Sequence, residues 1–203
     1  MLAASLARAE GLAGPISARE PRLARLAERA RLGDEAAFEL LAVELGPRLF
    51  RFLMARLGDE RDARDALQET LIACWQRLRR LREPDKVWPW LAGIAAHKAA
   101  DVLRQRRRRS REQPLEHLPA GGDGGRPSPQ LAGALAELPA PLRDVLLLRY
   151  LLQLSERETA EALGLRLGTV KSRSARGRER LEQLLQRGTS RVSSTAPTSR
   201  TGP

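Results

Sequence analysis

Three groups of side chains have types and spacings suited to molecular recognition. The first lies in SERETAEALGLRLGTVKSRSARGRERLEQLL, residues 155–185. Ser155 and Glu158 have the S-x-x-E spacing that caps a helix reciprocally. Ala160, Gly164 and Val170 then follow an A-x3-G-x5-V pattern: a small residue where two helices cross, a glycine for the tight turn, an apolar anchor for the next helix. That is the layout of a helix-turn-helix. From Thr169 onward, Val170, Ser174, Gly177, Leu181 and Leu184 share one side of a helix, while Lys171, Arg173, Arg176, Arg178 and Arg180 occupy the others. Cations at the start of such a helix can reach major-groove guanines or flanking phosphates; the plainer alternative is a solvated basic face. Gly177 is expected to face inward with room for one methyl group.

The second group is DKVWPWLAGIAAHKAADVLRQRRRR, residues 85–109, with Trp88 and Trp90 at a helix start and an arginine run at its end. Tryptophan beside cations can stack on unpaired bases while the cations hold phosphates. The alternative puts both rings in the core. Trp90, with Leu91 and Ile94, reads as core, and Trp88 as the ring free to meet a base or partner. The third group is acidic: Asp62, Asp65 and Glu69, with Gln68 beside them, opposite an apolar side of Leu67, Leu71, Cys74, Trp75 and Leu78. It is either a docking face for a basic partner or an ordinary solvated face with i,i+4 pairing.

Catalytic chemistry finds no foothold. The 203 residues hold one cysteine, Cys74, which excludes a disulfide framework or Cys-rich zinc site within the chain. His97 has no partner ligand nearby in sequence. No nucleophile–base pair, phosphate-cradling glycine loop or ligand cluster appears, so the chain reads as a binding protein rather than an enzyme, with no cofactor and no metal. Its 36 Lys and Arg against 25 Asp and Glu give a net charge of +11. That surplus favours a polyanionic partner, nucleic acid or an anionic surface. No apolar run approaches bilayer length, and the first residues lack the pattern of a signal peptide, so no membrane insertion and a cytoplasmic location are expected.

The elements that must position these groups are all helical, because apolar residues recur at helical spacing and nowhere alternate. A helix is expected from Pro21 to just before Gly33. A second, capped by Asp34, carries Phe38, Leu41, Leu45, Leu49 and Phe52, with Gly46-Pro47 bending or breaking it. A third, capped by Asp59, runs over about 60–82. A fourth starts at Pro89 and enters the arginine run. Residues 113–130, containing GGDGGRPSP, read as a flexible linker, and Ser128-Pro129 opens a new helical region. The expected organisation is an N-terminal extension at 1–20, small all-α domains at 21–112 and 131–187, and a disordered tail at 188–203.

Taken in series, these segments resemble a family. GDEAAFELLAVELGPRLFRFLMARLGD, DARDALQETLIACW and WPWLAGIAAHKAADVLRQRRR look like region 2 of extracytoplasmic-function sigma factors, and LPAPLRDVLLLRYLLQLSERETAEALGLRLGTVKSR looks like region 4. The resemblance implies two helical domains without the central domain of primary sigma factors, and promoter recognition, melting and transcription initiation with core RNA polymerase. It carries Asp62, Asp65, Gln68 and Glu69 over as contacts to the clamp helices of the largest polymerase subunit, with region 4 meeting the flap. It assigns Lys86, Trp88, His97, Lys98, Asp101, Arg104 and Arg106 to the −10 element, with a specificity loop near Asp85 to Trp88. It assigns Thr169, Lys171, Ser172, Arg173, Arg176 and Arg178 to the −35 element. It also implies an anti-sigma factor as partner, and a linker threading toward the polymerase channel. Two other readings remain open: a helix-turn-helix regulator acting without polymerase, and an interaction protein that sequesters another factor.

Overall fold

The computed structural model describes residues 20–112 and 128–193. The linker segment 113–127, most of the N-terminal extension and residues 194–203 lie outside the described residues. All regular elements among those described are helical: α1 (Glu20–Arg31), α2 (Glu35–Leu57), α3 (Glu60–Arg77) and α4 (Val87–Glu112), then α5 (Pro129–Glu137), α6 (Ala140–Leu146), α7 (Glu156–Leu163) and α8 (Leu167–Ser193). Short 3-10 turns at Leu78–Arg80 and Pro84–Lys86 join α3 to α4, and a π-helical turn at Leu147–Leu151 follows α6.

Local chemistry sets most helix ends. The Asp34 side chain accepts from the Ala37 amide at 3.0 Å, and the Asp59 side chain from the Asp62 amide at 2.8 Å. Each satisfies an amide that the first helical turn leaves without a partner. Gly58 closes α2 in the left-handed conformation, φ 71°, which glycine adopts without steric cost. Ser128 accepts from the Leu131 amide at 3.3 Å, with Pro129 in the first turn of α5.

Four expectations about elements need correction. Gly46-Pro47 does not break α2, which runs unbroken through Pro47. Proline forfeits only the bond to the carbonyl of Val43, a residue 73% exposed on the outer face. Leu45, Arg48 and Leu49 on the inner face stay buried and hold the helix together across it. The third helix ends at Arg77 rather than near 82, tightening into the 3-10 turn. The fourth begins at Val87, so Val87 and Trp88 are already helical and the expected loop at Asp85 to Trp88 shrinks to a single turn. At the other end, α8 continues to Ser193, through the first part of the expected tail.

In the first domain α1–α4 surround a core centred on Leu45, Leu49, Phe52, Leu53 and Leu78, all fully buried. In the second, α8 carries the inward stripe expected of it: Val170, Ser174, Gly177, Leu181 and Leu184 are buried. Val170 meets Val145 and Ala160 in a small cluster beneath the helix-turn-helix. The two cores are continuous, because the turn at Leu147–Leu151 packs on α2 and α7 packs on α4.

The room expected at Gly177 is tight. A methyl group there would meet the side chain of the fully buried Leu146 at 3.1 to 3.3 Å, so Leu146 must give way by a few tenths of an ångström. Alanine gains about 1 kcal/mol of helix propensity over glycine, but overpacking a core typically costs about 1–3 kcal/mol. Gly177→Ala should therefore lower the melting temperature of the full chain by the equivalent of roughly 1 kcal/mol. A thermal melt checks this, and a raised melting temperature would show that Leu146 yields freely.

Candidate nucleic-acid and polymerase interface

The helix-turn-helix is built as its spacing implies. Ser155 Oγ accepts from the Glu158 amide at 3.2 Å, and the Ser155 amide donates to Glu158 Oε2 at 2.6 Å, completing the capping box. Gly164 makes the turn at φ 62°. Lys171, Ser172, Arg176 and Arg178 stand exposed on the first turns of α8, and Thr169 and Arg173 are half-buried. Ser172 Oγ donates to the Thr169 carbonyl at 3.1 Å, and Arg176 Nε lies back on the Ser172 carbonyl at 3.3 Å. Lys171, Arg176 and Arg178 thus present cations to solvent from the first turns of the second helix of the motif. Arg173 is close enough to Asp144 for its charge to lower that carboxyl's pKa.

Along α4 a cleft of about 710 Å³ opens. Its lining includes Arg77, Arg82, Lys86, Trp90, His97 and Lys98, an aromatic ring among cations. His97 is exposed and its Nδ1 donates to the Gly93 carbonyl at 2.7 Å, one turn back in the helix. Asp101 also lines the cleft and pairs with Arg104.

The role expected of Trp88 as the free ring needs correction. Trp88 is 3% exposed, and its Nε1 donates to the Leu152 carbonyl of the second domain at 3.1 Å. Trp90 packs partly buried against the core, as expected, and is also the ring that lines the cleft. Helical phase explains the difference: with α4 starting at Val87, Trp88 falls in line with Leu91, Ala92 and Ala95, all buried, and Trp90 falls beside Ile94 and His97 at the cleft wall.

The acidic stripe is also divided. Asp62 accepts from Arg106 Nε at 2.5 Å, and Arg106 Nη1 donates to the Leu57 carbonyl at 2.7 Å. Asp62 and Arg106, expected at two different interfaces, brace α3 and the end of α2 against α4. Glu69 pairs with Lys98 at 2.9 Å across the same seam. Asp65 and Gln68 remain exposed, and Asp65 makes no ion pair among the described residues. Two residues that sequence reasoning did not place here extend the stripe at helical spacing: Ile72, 48% exposed, and Trp75, 37% exposed and tilted against Phe38 with ring centroids 4.9 Å apart. The signal was present as the series 65, 68, 72, 75, but Trp75 reads as core when aromatic rings are assigned inward by default.

Comparison with known proteins decides the family. The Sigma-70 region 2 model matches residues 41–109 and the Sigma-70 region 4 model matches residues 129–181. The ECF RNA polymerase sigma factor SigD of Mycobacterium tuberculosis is 35% identical over 178 residues, covering 79% of this chain and 82% of its own length. The chain belongs to the extracytoplasmic-function sigma factors. The sigma factor CarQ of Myxococcus xanthus is 32% identical over 78% of this chain and 94% of its own. Among solved structures, CnrH in complex with the cytosolic domain of CnrY superposes with a TM-score of 0.62 at 26% identity, covering 81% of this chain and 97% of that one. This sigma factor directs transcription initiation with RNA polymerase, through the two domains that carry the matched regions. No helix among its described residues is long and apolar enough to cross a membrane.

The places of the two tryptophans predict different phenotypes. Trp90→Ala should weaken binding of single-stranded DNA carrying the promoter's −10 sequence by about 1–3 kcal/mol, the value of one base stacked on an aromatic ring. Trp88→Phe, which keeps an aromatic ring in the buried site, should leave that affinity undiminished. Fluorescence anisotropy of a labelled oligonucleotide measures both, and a loss confined to Trp88→Phe would return the base contact to Trp88.

Proposed function

We propose that this sigma factor divides its work among three surfaces. Asp65, Gln68, Ile72 and Trp75 dock on the clamp helices of core polymerase. The cleft of α4 takes unpaired bases of the −10 element. The start of α8 reads the −35 element through Lys171, Arg176 and Arg178. The observation that carries this reading is the cleft, where Trp90 sits among Arg77, Arg82, Lys86 and Lys98 on the helix that the region 2 match covers. Such a combination suits captured bases: unstacking costs a few kcal/mol, offset by stacking and phosphate contacts. The protein acts by binding, not by catalysis, and works where core polymerase is, in the cytoplasm. The solved complex of CnrH with CnrY's cytosolic domain supports an anti-sigma factor as a further partner.

Run-off transcription with purified core polymerase on a genomic promoter library tests this reading. Defined start sites support it, while DNA binding with no core-dependent transcripts would favour a regulator that acts without polymerase. Two sets of variants separate the surfaces. Asp65→Arg with Ile72→Glu should abolish co-purification with core while circular dichroism shows an unchanged fold, since charge reversal at a desolvated contact costs about 2–5 kcal/mol. Arg176→Ala should weaken use of the upstream element by about 1–3 kcal/mol if it reads a base. Arg173→Ala, at a half-buried position, should have the smaller effect on promoters with an intact upstream element.

A further inference from the structure

The outer face of α2 carries an apolar line that none of the three proposed surfaces uses. Ala36, Leu40, Val43, Pro47, Phe50 and Met54 recur at alternating steps of four and three along the helix, the spacing that keeps a stripe on one side of it. Its second half is covered: Phe50 and Met54 are half-buried against the core. Its first half is bare among the described residues. Ala36 and Pro47 are exposed, Leu40 is 45% exposed and Val43 is 73% exposed. Scattered exposed hydrophobes are ordinary, whereas a contiguous line of them marks a contact site. This line is separate from the Asp65–Trp75 face: Phe38, which lies against Trp75, is about 140° round α2 from Val43.

The chain itself holds a matching segment. In LAASLARAEGLA, residues 2–13, Leu2, Leu6, Ala9 and Ala13 repeat the four-three-four steps of Ala36, Leu40, Val43 and Pro47. Arg8 and Glu10 are the segment's only charges and fall off that line. Each line is about 17 Å long at ~1.5 Å of rise per residue. Gly14-Pro15 would end such a helix. Gly14 to Arg19 then leave six residues before α1 begins at Glu20, a reach of up to about 20 Å. Arg22 Nη1 meets Glu44 Oε2 at 3.3 Å, so the chain enters α1 beside the residue that follows Val43. The tether is long enough to lay residues 2–13 along Ala36 to Pro47.

Chemistry narrows the occupant. An anionic membrane surface would call for a helix with several cations, and this segment has one. A helix this short is marginal alone in water. A short tether, however, holds it at an effective concentration on the order of millimolar, so a docking constant of about 0.1 mM would fill the face in roughly nine molecules of ten.

We propose that residues 2–13 form an amphipathic helix that docks on the outer face of α2, with Leu2, Leu6, Ala9 and Ala13 against Ala36, Leu40, Val43 and Pro47. The docked helix is a built-in cover: it shields the apolar line from other copies and other partners and leaves the Asp65–Trp75 face free. The inference is independent of whether the α4 cleft captures bases.

Hydrogen exchange of the full chain, read by mass spectrometry at short labelling times, tests this. Residues 2–13 should exchange about 10-fold more slowly than an unstructured chain of the same sequence, as that docked population requires. Leu40→Glu with Val43→Glu, at two exposed positions, should remove the protection and leave exchange in α3 and α4 unchanged. Leu6→Glu should do the same from the other side of the contact. Exchange of 2–13 at the unstructured rate in wild type overturns the proposal, and protection of 36–47 that needs core polymerase would then give the face to that partner. Protection that grows with protein concentration, together with a dimer in light scattering, overturns docking within one chain in favour of a second copy. Protection lost in Leu6→Glu but kept in a folded α2 variant overturns the site on α2. If the α2 variant misfolds by circular dichroism, Leu6→Glu decides, because it leaves α1–α8 unaltered, and undiminished protection of 2–13 there overturns the contact.

Discussion

The architecture turns on how closely α4 and α7 approach. Two helices can bring their backbones together only where side chains are small, and Gly93 against Ala162 supplies that condition. Once the helices meet there, Trp88 is sealed beneath the seam and must find a partner for its indole N–H, since a buried donor without one costs about 1–3 kcal/mol. The Leu152 carbonyl answers it. That carbonyl is delivered by an unusual piece of backbone, the π-helical turn at Leu147–Leu151 followed by Gln153 at φ 59°. The chain thus keeps an uncommon local conformation at the point where the second domain meets the first.

The pair of buried Arg56 with half-buried Asp144 has a different character. Burial pushes the Asp144 carboxyl above its ordinary value, against the lowering influence of Arg56, Arg143 and Arg173. Taking two charges out of water costs about as much as their attraction returns, so the pair fixes orientation more than it adds stability. The same economy of charge operates at the surface. In a chain of net charge +11, Asp62 with Arg106 and Glu69 with Lys98 cancel each other along the α3–α4 seam. Asp65 is left exposed on one side, and Arg77 and Arg82 of the cleft on the other. What distinguishes a docking face from a brace is therefore which charges remain after this internal pairing, and that follows from helix packing.

Much of the fold was legible in local chemistry. Asp34, Asp59, Ser128 and Ser155 cap the helices they precede, Gly58 and Gly164 end theirs, and the inward stripe from Val170 to Leu184 is buried as its period requires. The errors share one cause. Whether Pro47 breaks a helix depends on what is buried on both sides of it, and whether Gly177 has room for a methyl depends on Leu146, 31 positions away in sequence. A helix start expected two residues too late leaves Trp88 outside the helix; inside it, Trp88 and Trp90 lie about 200° apart at 3.6 residues per turn and so face different sides. The contact between domains leaves no periodic trace, because scattered residues carry it: Gly93 against Ala162, Trp88 with the Leu152 carbonyl, and Arg56 with Asp144.

Photo-crosslinking tests the central claim most directly: that unpaired promoter DNA enters the α4 cleft. A thymidine analogue in the non-template strand of the −10 element would be activated within the complete complex of core polymerase, sigma factor and promoter, and the labelled peptides identified. The account predicts labelling of the α4 segment from Trp90 to Lys98. Labelling of α3 with α4 untouched would contradict it.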